Sequence, residues 1–484
     1  MQGITRTKES YFLVVGGGIT GLSLALELGR HKKNVTLVEA DEQLGGNIRS
    51  VNERGWLMEL GPNTLMAKPG LYHLIKSLGL TEKVIFPPSA SRRRYVVKDG
   101  KPVALPDSLK SALKSPLIGT EGWGHLLKEP FRKPASHEET LAVFIQRRLG
   151  QNILNYFVDP FVSGIYAGVP EQLSAKAAFP RLHSLEQTYG SLLCGGIAQI
   201  RSSKKRQAQD RKDGFPDKWR GKLVSFPKGL STLTDGIRDE LEQLPNVRIV
   251  TGSKVEKILQ RDQTWHVLDQ KGKAFVARNL ILTTPAWVSG RLMQSVDAQL
   301  QSALETIPYP PLAAVVLGYT DNAIKHPLDG FGMLIPSTEK KQTLGALFSS
   351  ALFAERAPAG RVLFTCFIGG RKTPSVGEWS DEQLINTVNT ELSEILDIDA
   401  GPVFTKVARW SHAIPQYEVG HLARIAKIDD IAQKYAGLHL MGNWRDGISV
   451  GDCIDNGFAM ARKLLSADRF ASTQRLALPV PHKN

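Results

Sequence analysis

Cysteine is scarce in this 484-residue chain. Only Cys194, Cys366 and Cys453 occur, far apart and without a C-x-x-C pair. This spacing excludes a disulfide framework and is typical of a protein in a reducing compartment. The 11 histidines show no metal-ligand spacing, so no metal site is predicted. The chain also lacks a Ser/His/Asp or Cys/His constellation of the kind that covalent catalysis uses, and we predict no catalytic side chain.

Long hydrophobic runs are absent as well. No apolar stretch reaches the ~18–20 residues that a membrane-spanning helix needs. The apolar run near the N-terminus, Tyr11–Val15, leads directly into a glycine turn, which favours a core strand over a signal peptide. We therefore expect the protein to start and stay on the cytoplasmic side of the membrane.

Acidic residues are outnumbered by basic ones. The chain has 61 Lys and Arg against 47 Asp and Glu, a formal net charge of +14. This excess implies an anionic partner, which is an acidic ligand, an acidic lipid or nucleic acid. Charged residues make up 22% and hydrophobic residues 42%, so the chain is an ordinary globular one. Its length favours two or three domains.

The stretch Tyr11–Glu39 has the pattern of one dinucleotide-binding βαβ unit. A short apolar strand is followed by Gly16, Gly18 and Gly21 in G-x-G-x-x-G spacing, then by a helical pattern and a second β-rich run. The glycines permit a tight turn, a close approach of backbone N–H groups to a pyrophosphate, and close packing of the helix on the strand. The positive end of the helix and its free N–H groups suit phosphates.

Glu39 closes this unit, 18 residues after Gly21. A carboxylate at this place accepts hydrogen bonds from a ribose hydroxyl and repels a 2′-phosphate, so NADP is not the expected ligand. Two further turns follow. Gly45–Gly46 is either an ordinary turn or a second place where backbone can approach a cofactor, and its residues alone leave both open. Gly61–Pro62 forces a bend that exposes the backbone of the next two residues.

Taken together, GGGITG, a terminal Glu, an L-G-G turn and a G-P-N loop resemble the FAD-binding half of the flavin amine oxidase and protoporphyrinogen oxidase superfamily. Many members carry arginine two residues before the first glycine of the pair, where this chain has Gln43. Residues 161–191 and 439–457 resemble the protoporphyrinogen oxidases more closely, through G-I-Y-A-G, E-Q-T and G-I-S-V-G-D-C-I. The resemblance covers essentially the whole chain.

The resemblance implies FAD as the cofactor and two substrate contacts, Arg92 and Gly164; a helix-terminating role for Gly164 is the structural alternative. The positions that it implies for FAD binding are Gly16, Gly17, Gly18, Ile19, Thr20, Gly21, Glu39, Gly46, Asn47, Gly61, Pro62, Asn63, Thr64, Val255, Trp410, Ile448, Ser449 and Val450.

The expected fold class is α/β (α+β overall). It comprises a Rossmann-like FAD-binding domain, a substrate domain with a mixed sheet, and a helical, membrane-associating subdomain. We assign residues 1–80, 215–285 and 406–475 to the FAD-binding domain. Residues 86–106 and 286–405 are assigned to the substrate domain, and residues 107–214 to the helical subdomain. Within the substrate domain, a β-hairpin is predicted with its turn at Asp99–Gly100.

Three consecutive arginines, Arg92–Arg94, precede the first strand of that hairpin. A charge run is often a solvated face, whereas arginine also forms bidentate pairs with carboxylates, and the residues alone leave both interpretations open. Along a strand, Arg92 and Arg94 would point to one side and Arg93 to the other. The resemblance implies that Arg92 pairs with a propionate.

The helical subdomain contains basic amphipathic pieces at 109–119 and 122–133. They suit an interfacial membrane surface, and a helical subdomain with a solvated basic face is the open alternative. A helical pattern follows at 138–158. The run 201–212 holds six Lys and Arg residues and is predicted to be an exposed, mobile loop. It lacks interleaved aromatics, so we predict no nucleic-acid partner.

The activity implied by the resemblance is oxidation of protoporphyrinogen IX in haem biosynthesis. Three hydride transfers to flavin N5 would remove six electrons, and O2 would reoxidise the flavin to give H2O2. The alternatives are oxidation of coproporphyrinogen III, a flavin amine oxidase, or a binder without turnover. An amine oxidase is disfavoured because Pro310–Tyr319 contains no lysine and the C-terminal glycine loop offers Trp444 alone for an aromatic cage.

The expected location is cytoplasmic and peripheral, with contact to anionic lipid at the inner face of the cell membrane. The sequence leaves the oligomeric state open, a homodimer included.

Overall fold

The computed structural model describes residues 10–476, without the side chains of Ala90 and residues 469–476. Its strands are β1 (Ser10–Val15), β2 (Val35–Val38), β3 (Ser50–Glu53), β4 (Trp56–Glu59), β5 (Leu65–Met66), β6 (Tyr95–Lys98), β7 (Lys101–Ala104), β8 (Leu223–Val224), β9 (Val247–Val250), β10 (Val255–Arg261), β11 (Thr264–Asp269), β12 (Ala274–Leu282), β13 (Leu312–Thr320), β14 (Gly332–Leu334), β15 (Thr343–Phe348), β16 (Arg361–Gly369), β17 (Phe404–Trp410) and β18 (Leu438–Leu440).

The helices alternate with these strands, and short 3-10 turns join several of them. They are α1 (Ile19–Arg30), α2 (Pro69–Ser77), α3 (Leu109–Lys114), α4 (Gly119–Lys128), α5 (Leu141–Leu149), α6 (Gln151–Ile153), α7 (Asp159–Tyr166), α8 (Ala175–Ala178), α9 (Pro180–Tyr189), α10 (Leu192–Lys212), α11 (Ser231–Gln243), α12 (Ala286–Met293), α13 (Ala298–Glu305), α14 (Ser349–Leu352), α15 (Asp381–Leu396), α16 (His421–Ala432) and α17 (Val450–Leu476).

The first sheet has β1 at its centre. Its order is β10-β11-β12-β1-β2-β9, and β18 also pairs with β12. β1 runs parallel to β2 and β12, and α1 is the crossover between β1 and β2. Both strands are apolar and buried, as expected for a parallel sheet covered on both faces. This arrangement confirms the predicted α/β class and its Rossmann-like unit.

The second sheet is mostly antiparallel. Its order is β17-β13-β16-β15-β14-β6-β7, with one parallel pair, β14 and β6. The predicted hairpin is present as β6 and β7, and its turn residues Asp99 and Gly100 both have positive φ. On one face, α15 packs through Leu384, Val388 and Leu392.

Two domain boundaries differ from those we assigned. Residues 406–410 belong to β17, which pairs with β13 in the second sheet, although we placed them in the FAD-binding domain. Conversely, α12 and α13 pack into the core beside the first sheet through Met293, Leu300 and Leu304, although we placed them in the substrate domain. Both differences arise because strand pairing and helix docking are long-range contacts, which local sequence patterns do not record.

The helical part between β7 and β8 contains one wrong prediction. Residues 201–212, predicted to be a mobile loop, form the C-terminal half of α10. The Ser191 hydroxyl caps this helix by accepting from the backbone N–H of Cys194 at 3.1 Å, and most residues of the run are good helix formers. The predicted helix at 138–158 is present but is broken after α5 at Gly150, whose φ is +91°.

Buried charges hold this helical part together. The Arg148 guanidinium is fully buried and pairs with Glu129 and Glu186, which are also fully buried. Glu129 in turn accepts from the Ser191 hydroxyl at 2.5 Å and from the backbone N–H of Leu192 at 2.8 Å. The network therefore links α5, α9 and the start of α10. Among the described residues, no helix is both long and apolar enough to cross a bilayer.

Candidate functional site

The predicted glycine turn has the sterically restricted geometry that a nucleotide cradle needs. Gly16 has a φ of +112°, and a Cβ on Gly21 would lie 2.0 Å from the Gly16 carbonyl oxygen, so neither position tolerates a side chain. A Cβ on Gly18 would meet nothing within 4 Å. No side chain caps α1, so its first N–H groups are free for an anion. These residues, with Ile19 and Thr20 in the first turn, fit a bound pyrophosphate.

Glu39 lies beside this turn, as predicted for a ribose contact. Its carboxylate accepts from the backbone N–H of Gly17 and, at 2.9 Å, from that of Asp41. The Glu39 carbonyl accepts from the backbone N–H of Ser253 at 2.9 Å. This bond brings the start of β10, where Val255 lies, to the same end of the first sheet.

The two further glycine turns join the first one. The backbone N–H of Gly45 donates to the Gly17 carbonyl at 2.8 Å, and a Cβ on Gly46 would lie 3.2 Å from the Gly18 Cα. A Cβ on Gly61 would lie 1.8 Å from the Asn47 carbonyl oxygen. The chain continues from there through Pro62, Asn63 and Thr64. Three turns that are distant in sequence therefore form one cradle.

Arg49 is a cradle residue that the sequence analysis missed. Its Nε donates to the Gly46 carbonyl at 3.2 Å, and its guanidinium pairs with Asp41. It places a cation beside the second glycine turn. The sequence signal for this contact is the spacing of three positions between Gly46 and Arg49, because a long side chain at that distance can fold back onto the carbonyl of the turn glycine.

The first part of α17 packs on α1. A Cβ on Gly457 would lie 2.9 Å from the Thr20 carbonyl oxygen, so the two helices are in close contact at the first turn of α1. Of the predicted cofactor contacts here, Val450 begins α17 and packs against the core of the first sheet, Ile448 packs against the helical part, and Ser449 lies between them. Asp452 accepts from the Ser449 hydroxyl at 2.6 Å and from Lys68 at 2.7 Å. Burial raises the pKa of Asp452, but these two donors outweigh it and hold that pKa below its usual range.

An apolar wall lies at the end of the second sheet. Its buried residues are Ala167, Leu312, Leu344 and Ala413, with Phe367, Trp410 and Ile414 packed against them, partly buried. Trp410, predicted as a cofactor contact, is paired with Leu312 across β17 and β13 and lies in this wall. The wall residues Leu344 and Phe367 were missed, because a buried strand residue carries no sequence signal of which face it lines.

Gly164 lies inside α7 rather than at its end. A Cβ there would lie 2.5 Å from a methyl carbon of Leu334 on β14, so the glycine lets α7 pack on the second sheet. The helix instead ends at Tyr166, with Ala167 in the left-handed region. The helix-terminating alternative is therefore wrong, and the backbone of Gly164 remains partly exposed.

The three arginines have different surroundings. β6 begins at Tyr95, so they precede the strand and its alternation does not orient them. Arg93 is paired with Asp329, and Arg94 lies over the Phe331 ring at 5.4 Å. Arg92 is exposed in the 3-10 turn Ser89–Arg92, and it forms no hydrogen bond or ion pair with the part of the chain that the structure describes. It is the arginine most available to an anionic ligand.

Comparison with known proteins gives concordant matches. The family described as flavin containing amine oxidoreductase matches residues 19–465. Protoporphyrinogen oxidase 2, chloroplastic/mitochondrial, of Arabidopsis thaliana is 33% identical over 478 residues, covering 94% of this chain and 93% of that protein. Coproporphyrinogen III oxidase of Bacillus subtilis (strain 168) is 27% identical over 477 residues, covering 95% and 98%.

Solved structures share the fold. A candidate protoporphyrinogen oxidase from Exiguobacterium sp. 255-15 has a TM-score of 0.79 at 24% identity, covering 95% of this chain and 99% of that one. Reduced UDP-galactopyranose mutase has a TM-score of 0.71 at 15% identity, covering 95% of both chains.

Proposed function

This chain belongs to the flavin containing amine oxidoreductases, among the protoporphyrinogen oxidases, and from that premise we propose that it oxidises protoporphyrinogen IX to protoporphyrin IX in haem biosynthesis. It is an FAD-dependent oxidoreductase. Two separate observations support the choice of substrate class: the chain has an apolar wall, and Arg92 is an exposed arginine without a partner among the described residues. A largely apolar macrocycle that bears propionates needs both features.

The bound flavin supplies the two-electron oxidant, and the protein supplies placement. The three glycine turns and the N-termini of α1 and α17 would hold the anionic parts of FAD. The wall around Phe367 and Trp410 excludes water from the macrocycle, and Arg92 anchors a carboxylate by charge-assisted hydrogen bonds. No side chain is required to act as a general base, because the macrocycle can tautomerise between successive oxidations.

Oxygen as the electron acceptor is part of the proposal. Removing six electrons and six protons from the porphyrinogen in three steps consumes three O2 and gives three H2O2. An oxygen electrode and a peroxidase-coupled assay should return that ratio to porphyrin formed. Turnover only with an added quinone, and no H2O2, would contradict this part of the proposal.

The second candidate substrate is coproporphyrinogen III, which has four propionates. The three adjacent arginines and the similarity to coproporphyrinogen III oxidase of Bacillus subtilis favour it. Against it, Arg93 is already paired with Asp329. Initial rates with both porphyrinogens, followed by porphyrin fluorescence, decide between the two. We expect a higher kcat/KM for protoporphyrinogen IX, and the reverse order would overturn the choice.

Arg92→Ala tests the anchoring role. Loss of one partly exposed, charge-assisted contact of about 1–2 kcal/mol should raise KM for protoporphyrinogen IX roughly 5- to 30-fold and leave the bound flavin spectrum unchanged. Arg238→Ala is the control, because Arg238 is a partly exposed arginine paired with Asp235 and Asp239 on α11. An unchanged KM in Arg92→Ala with both porphyrinogens would remove the anchoring role.

Peripheral contact with anionic lipid at the cytoplasmic face of the membrane is also proposed. Leu109 is 81% exposed and Phe131 is 88% exposed, on α3 and just after α4, and Lys110, Lys114 and Lys128 are their neighbours in sequence. Exposed apolar residues among lysines are typical of an interfacial surface.

Co-sedimentation with vesicles tests the membrane contact. Leu127→Ser with Phe131→Ser should reduce binding to anionic vesicles several-fold. Val403→Ser is the control, because Val403 is an exposed apolar residue next to β17. Equal binding of the parent protein to neutral and anionic vesicles would contradict the electrostatic part, and unaltered binding of the double variant would contradict the surface.

A further inference from the structure

Gln416 lies between two parts of the site, and its side chain is fully buried. Its Nε2 donates to the carbonyl oxygens of Tyr166 at 2.7 Å and Ile414 at 2.9 Å. Its backbone N–H donates to the Pro308 carbonyl at 2.9 Å. Tyr166 is the last residue of α7, the helix that carries Gly164. One carboxamide therefore ties the end of α7 to the segment that leaves β17.

The turn after Tyr166 fits around this carboxamide. Ala167 adopts a φ of +50°, which is uncommon outside glycine. A Cβ on Gly168 would lie 2.5 Å from Gln416 Oε1, and a Cβ on Gly370 would lie 2.3 Å from the Ala167 carbonyl oxygen. That carbonyl also accepts from the backbone N–H of Arg371 at 2.8 Å. The turn is thus held by Gln416 on one side and by the end of β16 on the other.

Both pieces that Gln416 joins contribute to the apolar wall. Ala167 belongs to the wall on the α7 side, whereas Ala413 and Ile414 belong to it on the other side. The hydrogen bond from Nε2 to the Tyr166 carbonyl crosses between the two sides, and the bond to Ile414 orients the carboxamide within its own segment, so together they set the distance between the two sides. An uncharged donor suits this task, since a lysine or arginine buried here without a carboxylate would carry a large desolvation cost.

We propose that Gln416 is a positioning residue for substrate: it fixes the spacing between α7 and residues 410–414, and so the fit of the macrocycle against the wall. The inference rests on the proposed function and extends it to a residue whose side chain is fully buried. A binding surface that is already in place lowers the ordering cost of binding the substrate, so the main expected effect is on KM.

Gln416→Leu tests the inference, because leucine has similar volume and donates no hydrogen bond. In the FAD-loaded protein we expect KM for protoporphyrinogen IX to rise about tenfold, kcat to fall less than threefold, and the flavin spectrum and FAD affinity to stay unchanged. Gly168→Ala is the second variant, since its new methyl group displaces the same carboxamide and should shift KM in the same direction. Gln433→Leu, an exposed glutamine just after α16, is the matched control.

The outcomes separate this inference from the proposed function. Parent protein that oxidises neither porphyrinogen would overturn the proposed function itself. Active parent protein with an unchanged KM in both Gln416→Leu and Gly168→Ala would overturn the positioning role alone. Parallel losses of kcat, FAD affinity and thermal stability, without a KM change, would mean that Gln416 is only a structural brace and would also overturn the proposal.

Discussion

Thr283 fixes the glycine turn from the neighbouring strand. Its hydroxyl donates to the carbonyl oxygens of Gly16 at 2.8 Å and Val15 at 3.1 Å. Thr283→Val removes this donor and leaves the Gly16 carbonyl unpaired, a loss of about 1–2 kcal/mol. We expect FAD to bind roughly 5- to 30-fold more weakly, measured by flavin fluorescence on titrating the apoprotein. Thr283→Ser keeps the hydroxyl and should bind as the parent does; equal weakening in both variants would contradict the hydrogen-bond explanation.

At the scale of single elements, Arg148 anchors the helical part. Arg148→Met would leave Glu129 and Glu186 buried without this cation, and breaking a buried pair typically costs about 3–5 kcal/mol. Arg147→Met is the control, because Arg147 pairs with Glu139 and Glu186 but is partly exposed, so its loss should cost less. Denaturant unfolding followed by tryptophan fluorescence measures both, and a larger loss for Arg147→Met would contradict the assignment.

The same elements show what the sequence could and could not predict. The glycine cradle was predictable because a side chain at Gly16 or Gly21 would be sterically excluded. This requirement is local, and the G-x-G-x-x-G spacing in the sequence indicates it. The helix at 201–212 was missed because a run of like charges was given more weight than helix propensity and the Ser191 cap. Leu344 and Phe367 were missed because the face that a strand residue lines depends on pairing with distant strands.

At the scale of the whole molecule, a buried ion pair joins the β3–β4 hairpin to the 3-10 turn Ala354–Arg356. Glu59, at the end of β4, accepts from Arg356 at 3.1 Å and from the backbone N–H of Leu230 at 2.9 Å. Burial raises the pKa of Glu59 and lowers that of Arg356, so each charge is costly without the other. Arg356→Met should destabilise the protein by about 3–5 kcal/mol.

Adding Glu59→Gln to Arg356→Met should recover part of that stability, because the double variant buries no unpaired charge. Denaturation midpoints of the two single variants and the double variant, all FAD-loaded, give the coupling. Strictly additive losses would contradict the ion-pair explanation and leave packing as the cause.

One buried histidine, His421, and one partly buried histidine, His439, should make stability depend on pH. Burial, with the nearby charges of Arg424 and Lys463 respectively, lowers the pKa of His421 and of His439 to about 4. Between pH 6.5 and 4 the unfolded chain therefore binds protons that the native protein does not, so stability is full above pH 6.5 and falls as pH decreases through that window. From pH 7 to 5.5 each histidine should cost about 1 kcal/mol. His421→Phe keeps an aromatic ring beside Tyr417, which stacks on His421 at 4.2 Å. This variant should reduce the pH dependence of the free energy of unfolding, measured by urea unfolding, by about half. An unchanged pH dependence would show that other groups take up these protons.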